Sequence, residues 1–105
     1  MCSYNQVNNT YACTNPRSLT EILKTQFEFP GFVMSDWWAS DTNVDSVVAG
    51  MDMMMPGNTN WGSQLAAAVS SGQLNESRLD DMAVRIMAPY YLLGQDQVNY
   101  DLMII

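Results

Sequence analysis

Three short apolar segments, each followed by a polar loop and a helix-like pattern, constrain the fold of this chain most. They cover residues 1–4, 32–35 and 52–55. Strands separated by helices usually pair in parallel, because a helical crossover returns the chain to the same end of the sheet. The sequence therefore predicts an α/β fold, either an open sheet or part of a (β/α) barrel.

The first predicted helix follows a polar loop over residues 5–14. Asn15 before Pro16 is typical of an N-cap with proline at the first helical position, and Ser18 with Glu21 has the spacing of a capping box. Pro30 and the glycine after it end the helix. Its predicted apolar face consists of Leu19, Ile22, Leu23 and Phe27.

Three further helices are predicted after the second strand. The first ends at Gly50, the second covers residues 61–71 before Gly72, and the third is capped by Asn75 and ends at Gly94. Their predicted inward faces are Val44, Val47 and Val48; then Leu65, Ala68 and Val69; and finally Leu79, Met82, Ala83, Ile86 and Tyr90.

The charge of the chain limits its partners. It has 11 acidic and 4 basic residues, no histidine and a net charge of -7. Nucleic acid is excluded as an expected partner, because phosphate contacts need lysine and arginine. No apolar stretch reaches the roughly 18 residues of a membrane span, so no membrane partner is expected.

The two cysteines and two glycosylation sequons indicate the cellular compartment in which the protein is located. The spacing of Cys2 and Cys13 favours a short-loop disulfide over a zinc site, and two free buried thiols are the alternative. Asn8 and Asn75 each begin an Asn-X-Ser/Thr sequon. Together these features predict a secreted, extracellular protein.

The segment at residues 31–37 is an apolar run that is interrupted near its end by Asp36. This carboxylate is the main candidate for chemistry. A carboxylate at the end of a buried strand costs free energy of folding, which favours a functional role for it. An aspartate in this position is nevertheless more often a helix cap or loop residue. Trp37 and Trp38 are either sugar-stacking or rim aromatics, with Trp37 preferred. Asp52 is predicted to be a structural hydrogen-bond acceptor.

Four motifs in order resemble those of glycoside hydrolase family 3, in particular its fungal-type β-glucosidases. They are Met-Cys-Ser-Tyr-Asn at residues 1–5, Gly-Phe-Val-Met-Ser-Asp-Trp at 31–37, Ala-Gly-Met-Asp-Met-Met-Met-Pro-Gly at 49–57, and the helix over 75–86. The resemblance implies the C-terminal part of a (β/α)8 TIM-barrel-like catalytic domain over residues 1–97, incomplete in this chain. Residues 98–105 are interpreted as the start of an interdomain linker or a truncated end.

The resemblance also implies roles for individual residues. Asp36 is the nucleophile of a retaining β-glucosidase that forms a covalent glycosyl-enzyme, and Met1, Tyr4 and Trp37 line the pocket for the non-reducing sugar. A hydroxyl such as that of Tyr4 is expected to hydrogen-bond the carboxylate. The implied substrate is a β-glucoside or cello-oligosaccharide, with no metal or other cofactor.

The family's general acid/base is a glutamate in a following domain, beyond residue 105. The remainder of a parent chain is therefore an expected partner, and the isolated 105 residues are expected to be inactive. Alternatives are a non-catalytic carbohydrate-binding or relic module and a family member with β-xylosidase-like specificity. Asp41 stands where the family more often has histidine, which leaves the leaving-group preference open.

Overall fold

The computed structural model describes residues 1–42, 44–57 and 61–97 of the chain, so residues 43, 58–60 and 98–105, with the predictions made for them, lie outside the described residues. The three predicted strand segments do lie side by side in parallel. Cys2 N–H donates to Met34 O at 2.8 Å, and Ser35 N–H donates to Met53 O at 2.9 Å. The pairing consists of isolated bridges, Cys2 with Ser35 and Met34 with Met53, and not of continuous ladders.

The predicted polar loop at residues 5–14 contains a β-hairpin, so that prediction is wrong. Strand β1 (Gln6–Val7) pairs antiparallel with β2 (Thr10–Tyr11). Asn8 and Asn9 connect them with φ of +50° and +62°. Two-residue hairpin turns need positive φ at both positions, which asparagine tolerates better than most residues. A 3-10 turn over Ala12–Thr14 follows.

The first predicted helix is a π-helix over Arg17–Gln26. Asn15 caps this helix as predicted, since its side-chain Oδ1 accepts a hydrogen bond from Ser18 N–H at 3.0 Å. The prediction of a capping box is wrong, because the Glu21 side chain accepts a hydrogen bond from Arg17 at 3.1 Å. Phe27 N–H donates to Ile22 O, five residues back, and the Phe27 side chain is 73% exposed and not on the inward face. The wider winding changes which side chains share a face.

The other helices are α1 (Val44–Ala49), α2 (Ser63–Ser70) and α3 (Glu76–Leu92), close to the predicted bounds. Gly50 ends α1 with φ of +115°, and a Cβ there would lie 2.5 Å from Thr20 Oγ1. That hydroxyl donates to Ala49 O at 2.9 Å. Gly50 therefore allows α1 to approach the π-helix at a backbone geometry that other residues rarely adopt.

Two apolar clusters pack on either side of α1. The predicted inward positions Val48, Ala83 and Tyr90 are exposed and belong to neither, so those three predictions are wrong. In the short helix α1, Ser46 and Ala49 are buried beside Val47 instead. The first cluster contains Cys2, Ala12, Cys13, Leu19, Val33, Ala49, Met51 and Met54, and the second contains Val47, Leu65, Ala68, Leu74 and Met82.

A buried ion cluster around Asp52 holds these elements together. The Asp52 side chain is fully buried, and both of its oxygens lie 2.7 Å from Lys24 Nζ. Arg78 Nη2 donates to Oδ1 at 2.8 Å, and Val33 N–H donates to Oδ2 at 2.8 Å. Burial lowers the pKa of Lys24 although Asp52 favours its charged form. The prediction that Asp52 is a structural acceptor is confirmed.

Arg78 extends this cluster from α3 to the rest of the chain. Its Nε donates to Val47 O and its Nη2 to Met51 O, both at 2.9 Å, and its Nη1 contacts Asp81 at 2.7 Å. Arg85 also bonds Asp81 and donates to the carbonyls of residues 29 and 31. Helix α3 is thus fixed by charged hydrogen bonds along one face.

None of the helices within the described residues combines the length and the apolar character that a membrane crossing requires.

We expect Asp52→Asn, made in the full-length protein that carries this segment, to lower the free energy of unfolding by about 3–5 kcal/mol, because it leaves Lys24 buried without its counter-charge and removes one of the two carboxylates paired with Arg78. Denaturant unfolding followed by tryptophan fluorescence measures the change. The matched control is Glu21→Gln, which breaks an exposed ion pair with Arg17 and should cost less than about 1 kcal/mol. Equal effects of the two variants would contradict the structural importance of Asp52.

Candidate active site

Asp36 lies directly after the second bridged segment, where neighbouring segments hold the backbone on both sides. Asp36 N–H donates to Cys2 O at 2.8 Å, and Met55 N–H donates to the buried Ser35 Oγ at 2.7 Å. Trp38 N–H donates to Met55 O at 2.9 Å. The loop that carries Asp36 is therefore fixed to both neighbouring segments.

The Asp36 carboxylate is oriented by its own loop. Its Oδ1 accepts from Trp37 N–H at 2.6 Å, and its backbone carbonyl accepts from Ala39 N–H at 3.0 Å. The side chain is half-buried. A half-buried carboxylate held at a fixed angle at the end of a strand is the arrangement that a nucleophile or general base needs.

Tyr4 lies against this loop, but its hydrogen bond differs from the prediction. The Tyr4 hydroxyl donates to Trp37 O at 2.6 Å, whereas the expected acceptor was the Asp36 carboxylate. Desolvation raises the pKa of this hydroxyl above its usual value, and the charge and hydrogen-bonding capacity of Asp36 raise it further. Tyr4 therefore remains a protonated donor that holds the Trp37 carbonyl in place.

The structure brings Tyr4, Asp36 and Trp37 together. Trp37 and Met1 are both exposed, Trp37 directly after the carboxylate and Met1 at the start of the neighbouring segment. Asp52, the most buried carboxylate, lies in its ion cluster and is not available as an acid. Across residues 1–42, 44–57 and 61–97, no group of three or more acidic, histidine or cysteine side chains is placed to hold a metal ion.

A cleft of about 250 Å³ opens beside this loop, and Tyr4, Tyr11, Trp38 and Asp41 are among its lining residues. Sequence reasoning missed Tyr11, because it assigned residues 5–14 to a loop. The signal was the Asn8-Asn9 pair, whose tight turn fixes the direction of β2. Trp38, ranked below Trp37, has a φ of +64°, which is uncommon for a bulky residue.

A disulfide joins Cys2 to Cys13 with a Cα–Cα distance of 5.2 Å. It connects the first bridged segment to the 3-10 turn, and neither sulfur is a free thiol. Both sequon asparagines are exposed. Asn8 lies in the hairpin turn, and Asn75 caps α3 by accepting from Ser77 N–H at 3.0 Å.

Known proteins match this chain over most of its length. A family model described as the N-terminal domain of glycosyl hydrolase family 3 matches residues 1–88. The chain is 51% identical over 106 residues to a protein named "Probable beta-glucosidase" from Arthroderma benhamiae. That match covers 94% of this chain and 13% of the relative, so this chain spans only a small part of the relative's length.

Solved structures also match most of this chain, and the matches cover only a small part of each solved chain. The crystal structure of beta-D-glucoside glucohydrolase from Trichoderma reesei matches with a TM-score of 0.85 and 47% identity, over 95% of this chain and 16% of that one. Beta-glucosidase 3B from Thermotoga neapolitana in complex with glucose matches with a TM-score of 0.73 and 35% identity, over 83% of this chain and 13% of that one.

We expect the Tyr4 hydroxyl to titrate above the ordinary tyrosine pKa of about 10. The absorbance difference between wild-type protein and Tyr4→Phe, followed against pH, isolates its ionisation. In an Asp36→Asn background the same difference should move to lower pH, because the negative charge that opposes the phenolate is removed. Identical titration curves in the two backgrounds would contradict the effect of the Asp36 charge on the Tyr4 hydroxyl.

Proposed function

The chain belongs to glycosyl hydrolase family 3, as its motifs predict, and from this we propose that the protein containing it is a retaining β-glucosidase whose nucleophile is Asp36. The observation that carries the proposal is the oriented carboxylate. Asp36 lies at the end of a bridged segment, and its Oδ1 accepts a hydrogen bond from Trp37 N–H at 2.6 Å. Retaining glycosidases need one such carboxylate as nucleophile and a second carboxyl group about 5–5.5 Å away as acid/base.

The proposed reaction proceeds in two displacements. An Asp36 oxygen attacks the anomeric carbon while the bond to the leaving oxygen breaks, and that oxygen takes a proton from the general acid. Water then attacks the same carbon as the acid/base takes its proton, and the bond to Asp36 breaks, which restores the carboxylate. The β configuration is retained because the carbon is inverted twice.

The chain's own residues position the sugar in this proposal. Trp37 presents an exposed ring for the apolar face of a pyranose, and Tyr4 holds the Trp37 carbonyl through its hydroxyl. Met1 completes the proposed pocket. The glucose-bound Thermotoga relative and the glucohydrolase name of the Trichoderma relative support glucose as the sugar, with cello-oligosaccharides or aryl glucosides as substrates. No metal or organic cofactor takes part.

We further propose that these residues form the last strand units of a (β/α)8 barrel, with residues 98–105 leading towards another domain. The parallel order of the three segments supports this. A barrel has no free sheet edges, so further strands of the same protein would pair with the two outer segments. The acid/base glutamate then comes from the following domain.

An extracellular location is also proposed. The Cys2–Cys13 disulfide supports it, since disulfides persist mainly in oxidising compartments. The sequons at Asn8 and Asn75 are exposed and accessible to glycosylation. In the Asn75 cap, Oδ1 is the bonded atom, so its amide nitrogen is left for a glycan.

Replacement of the nucleophile tests the function. In the full-length protein, Asp36→Asn should lower kcat for aryl β-glucoside hydrolysis by at least about a thousandfold, since no covalent intermediate can form. A slow 2-fluoro-glucoside should label wild-type protein on the peptide that contains Asp36, as read by mass spectrometry.

The matched control is Asp45→Asn, an exposed carboxylate on α1, which should keep wild-type activity. Label on another residue, or full activity of Asp36→Asn, would contradict the proposed nucleophile. Binding of glucosides without any turnover would favour a carbohydrate-binding module, and preferential cleavage of an aryl xyloside would favour the xylosidase-like alternative.

We expect the isolated 105-residue chain to show no turnover of aryl β-glucosides, because the proposed acid/base glutamate is not among these residues. A fluorogenic glucoside assay at high protein concentration measures this, with the full-length protein as positive control. Turnover that persists in the isolated chain and disappears in its Asp36→Asn variant would contradict the expectation.

A further inference from the structure

The parallel pairing of the second and third bridged segments ends at the residue before the proposed nucleophile. Met53 N–H donates to Val33 O at 3.1 Å, and Ser35 N–H donates to Met53 O at 2.9 Å. Such bonds recur every two residues in a parallel ladder, so the next would run from Met55 N–H to the backbone carbonyl of Ser35. Met55 N–H donates instead to the Ser35 hydroxyl at 2.7 Å. A side chain thus replaces the backbone where the chain leaves the strand.

This replacement allows the backbone to turn directly after Asp36. Continuation of the ladder through the Ser35 carbonyl would extend the strand past the carboxylate. Instead the chain reaches Trp38 in a left-handed conformation with φ of +64°, and Trp38 N–H donates back to Met55 O at 2.9 Å. The Met55 peptide group therefore bonds to the chain both before and after Asp36.

A hydroxyl suits this position because it accepts and donates at the same time. Besides accepting from Met55 N–H, the Ser35 hydroxyl donates to Met55 O at 3.3 Å. Ser35 is only 1% exposed. Removal of one oxygen leaves less space than the roughly 30 Å³ that a water molecule occupies in the liquid, so water would not restore both bonds. Loss of the hydroxyl would release one side of the Asp36 turn from Met55.

We infer that Ser35 is a positioning residue, whose hydroxyl sets the angle at which the Asp36 carboxylate faces the anomeric carbon. This role rests on the proposed function, in which Asp36 is the nucleophile. Ser35 is buried and contacts Met55, so it acts through the backbone of the turn and not on the substrate. Displacement of a reacting group by about 1 Å lowers a rate on the order of a hundredfold, so a small rotation of the turn is enough.

Labelling of the full-length protein with a 2-fluoro-glucoside separates positioning from folding. The label forms when an Asp36 oxygen bonds to the anomeric carbon and the leaving group departs. The labelling rate constant depends on the orientation of the carboxylate, whereas the final number of labels per chain counts the folded sites. We expect Ser35→Ala to lower the rate constant by about ten- to a hundredfold, with the wild-type number of labels. A purely structural role would give fewer labels, formed at the wild-type rate.

Two further variants test the hydroxyl itself. Ser35→Thr keeps it, whereas Ser35→Cys replaces it with a thiol, which is a weak donor and acceptor, and both enlarge the side chain. We expect the threonine variant to be labelled within about threefold of the wild-type rate and the cysteine variant about tenfold more slowly than wild type. This pair decides the role of the hydroxyl even if the alanine variant does not fold.

The matched control is Ser46→Ala, which removes another fully buried hydroxyl, one that donates to Thr42 O at 3.3 Å on α1. It should be labelled at the wild-type rate. Equal rates in the threonine and cysteine variants, or a wild-type rate in Ser35→Ala, would overturn the positioning role. Failure of the proposed function is distinct, because wild-type protein would then carry no label on the peptide that contains Asp36.

Discussion

The buried carboxylate of Asp52 is the interaction on which the rest of this structure depends. A lone buried charge is strongly unfavourable, so Asp52 requires Lys24 from the π-helix and Arg78 from α3 at the same time. Val33 N–H brings the central bridged segment to the same carboxylate. Three distant parts of the chain meet at one point, and apolar contacts alone would not fix their relative register so narrowly.

This cluster and the proposed active site occupy opposite ends of the same segments. Val33 and Asp52 begin the second and third bridged segments, and Asp36 and Met55 lie at their other ends. Barrel-like α/β folds separate stability from chemistry in this way, with catalytic groups after the C-terminal ends of strands. The position of the Asp36 loop therefore depends on a charged cluster that the loop does not contact.

Local sequence signals predicted much of the fold and less of the site. Alternating strand and helix patterns gave the parallel order, and the caps at Asn15 and Asn75 followed from side-chain chemistry. The winding of the π-helix was not predictable, because periodicity at 3.6 residues per turn is assumed in reading a helical face. Phe27, which follows the last residue of this helix, is exposed.

At the proposed site, the motif predicted that Asp36 and Tyr4 lie close together, as the structure places them, but the choice of Trp37 O as the Tyr4 acceptor depends on a turn that no single-residue signal encodes. The left-handed conformation of Trp38 comes from that same turn and has a genetic consequence. A single base change converts the tryptophan codon into one for glycine, which relieves the backbone strain. One mutational step therefore both removes the indole and restores an unstrained backbone.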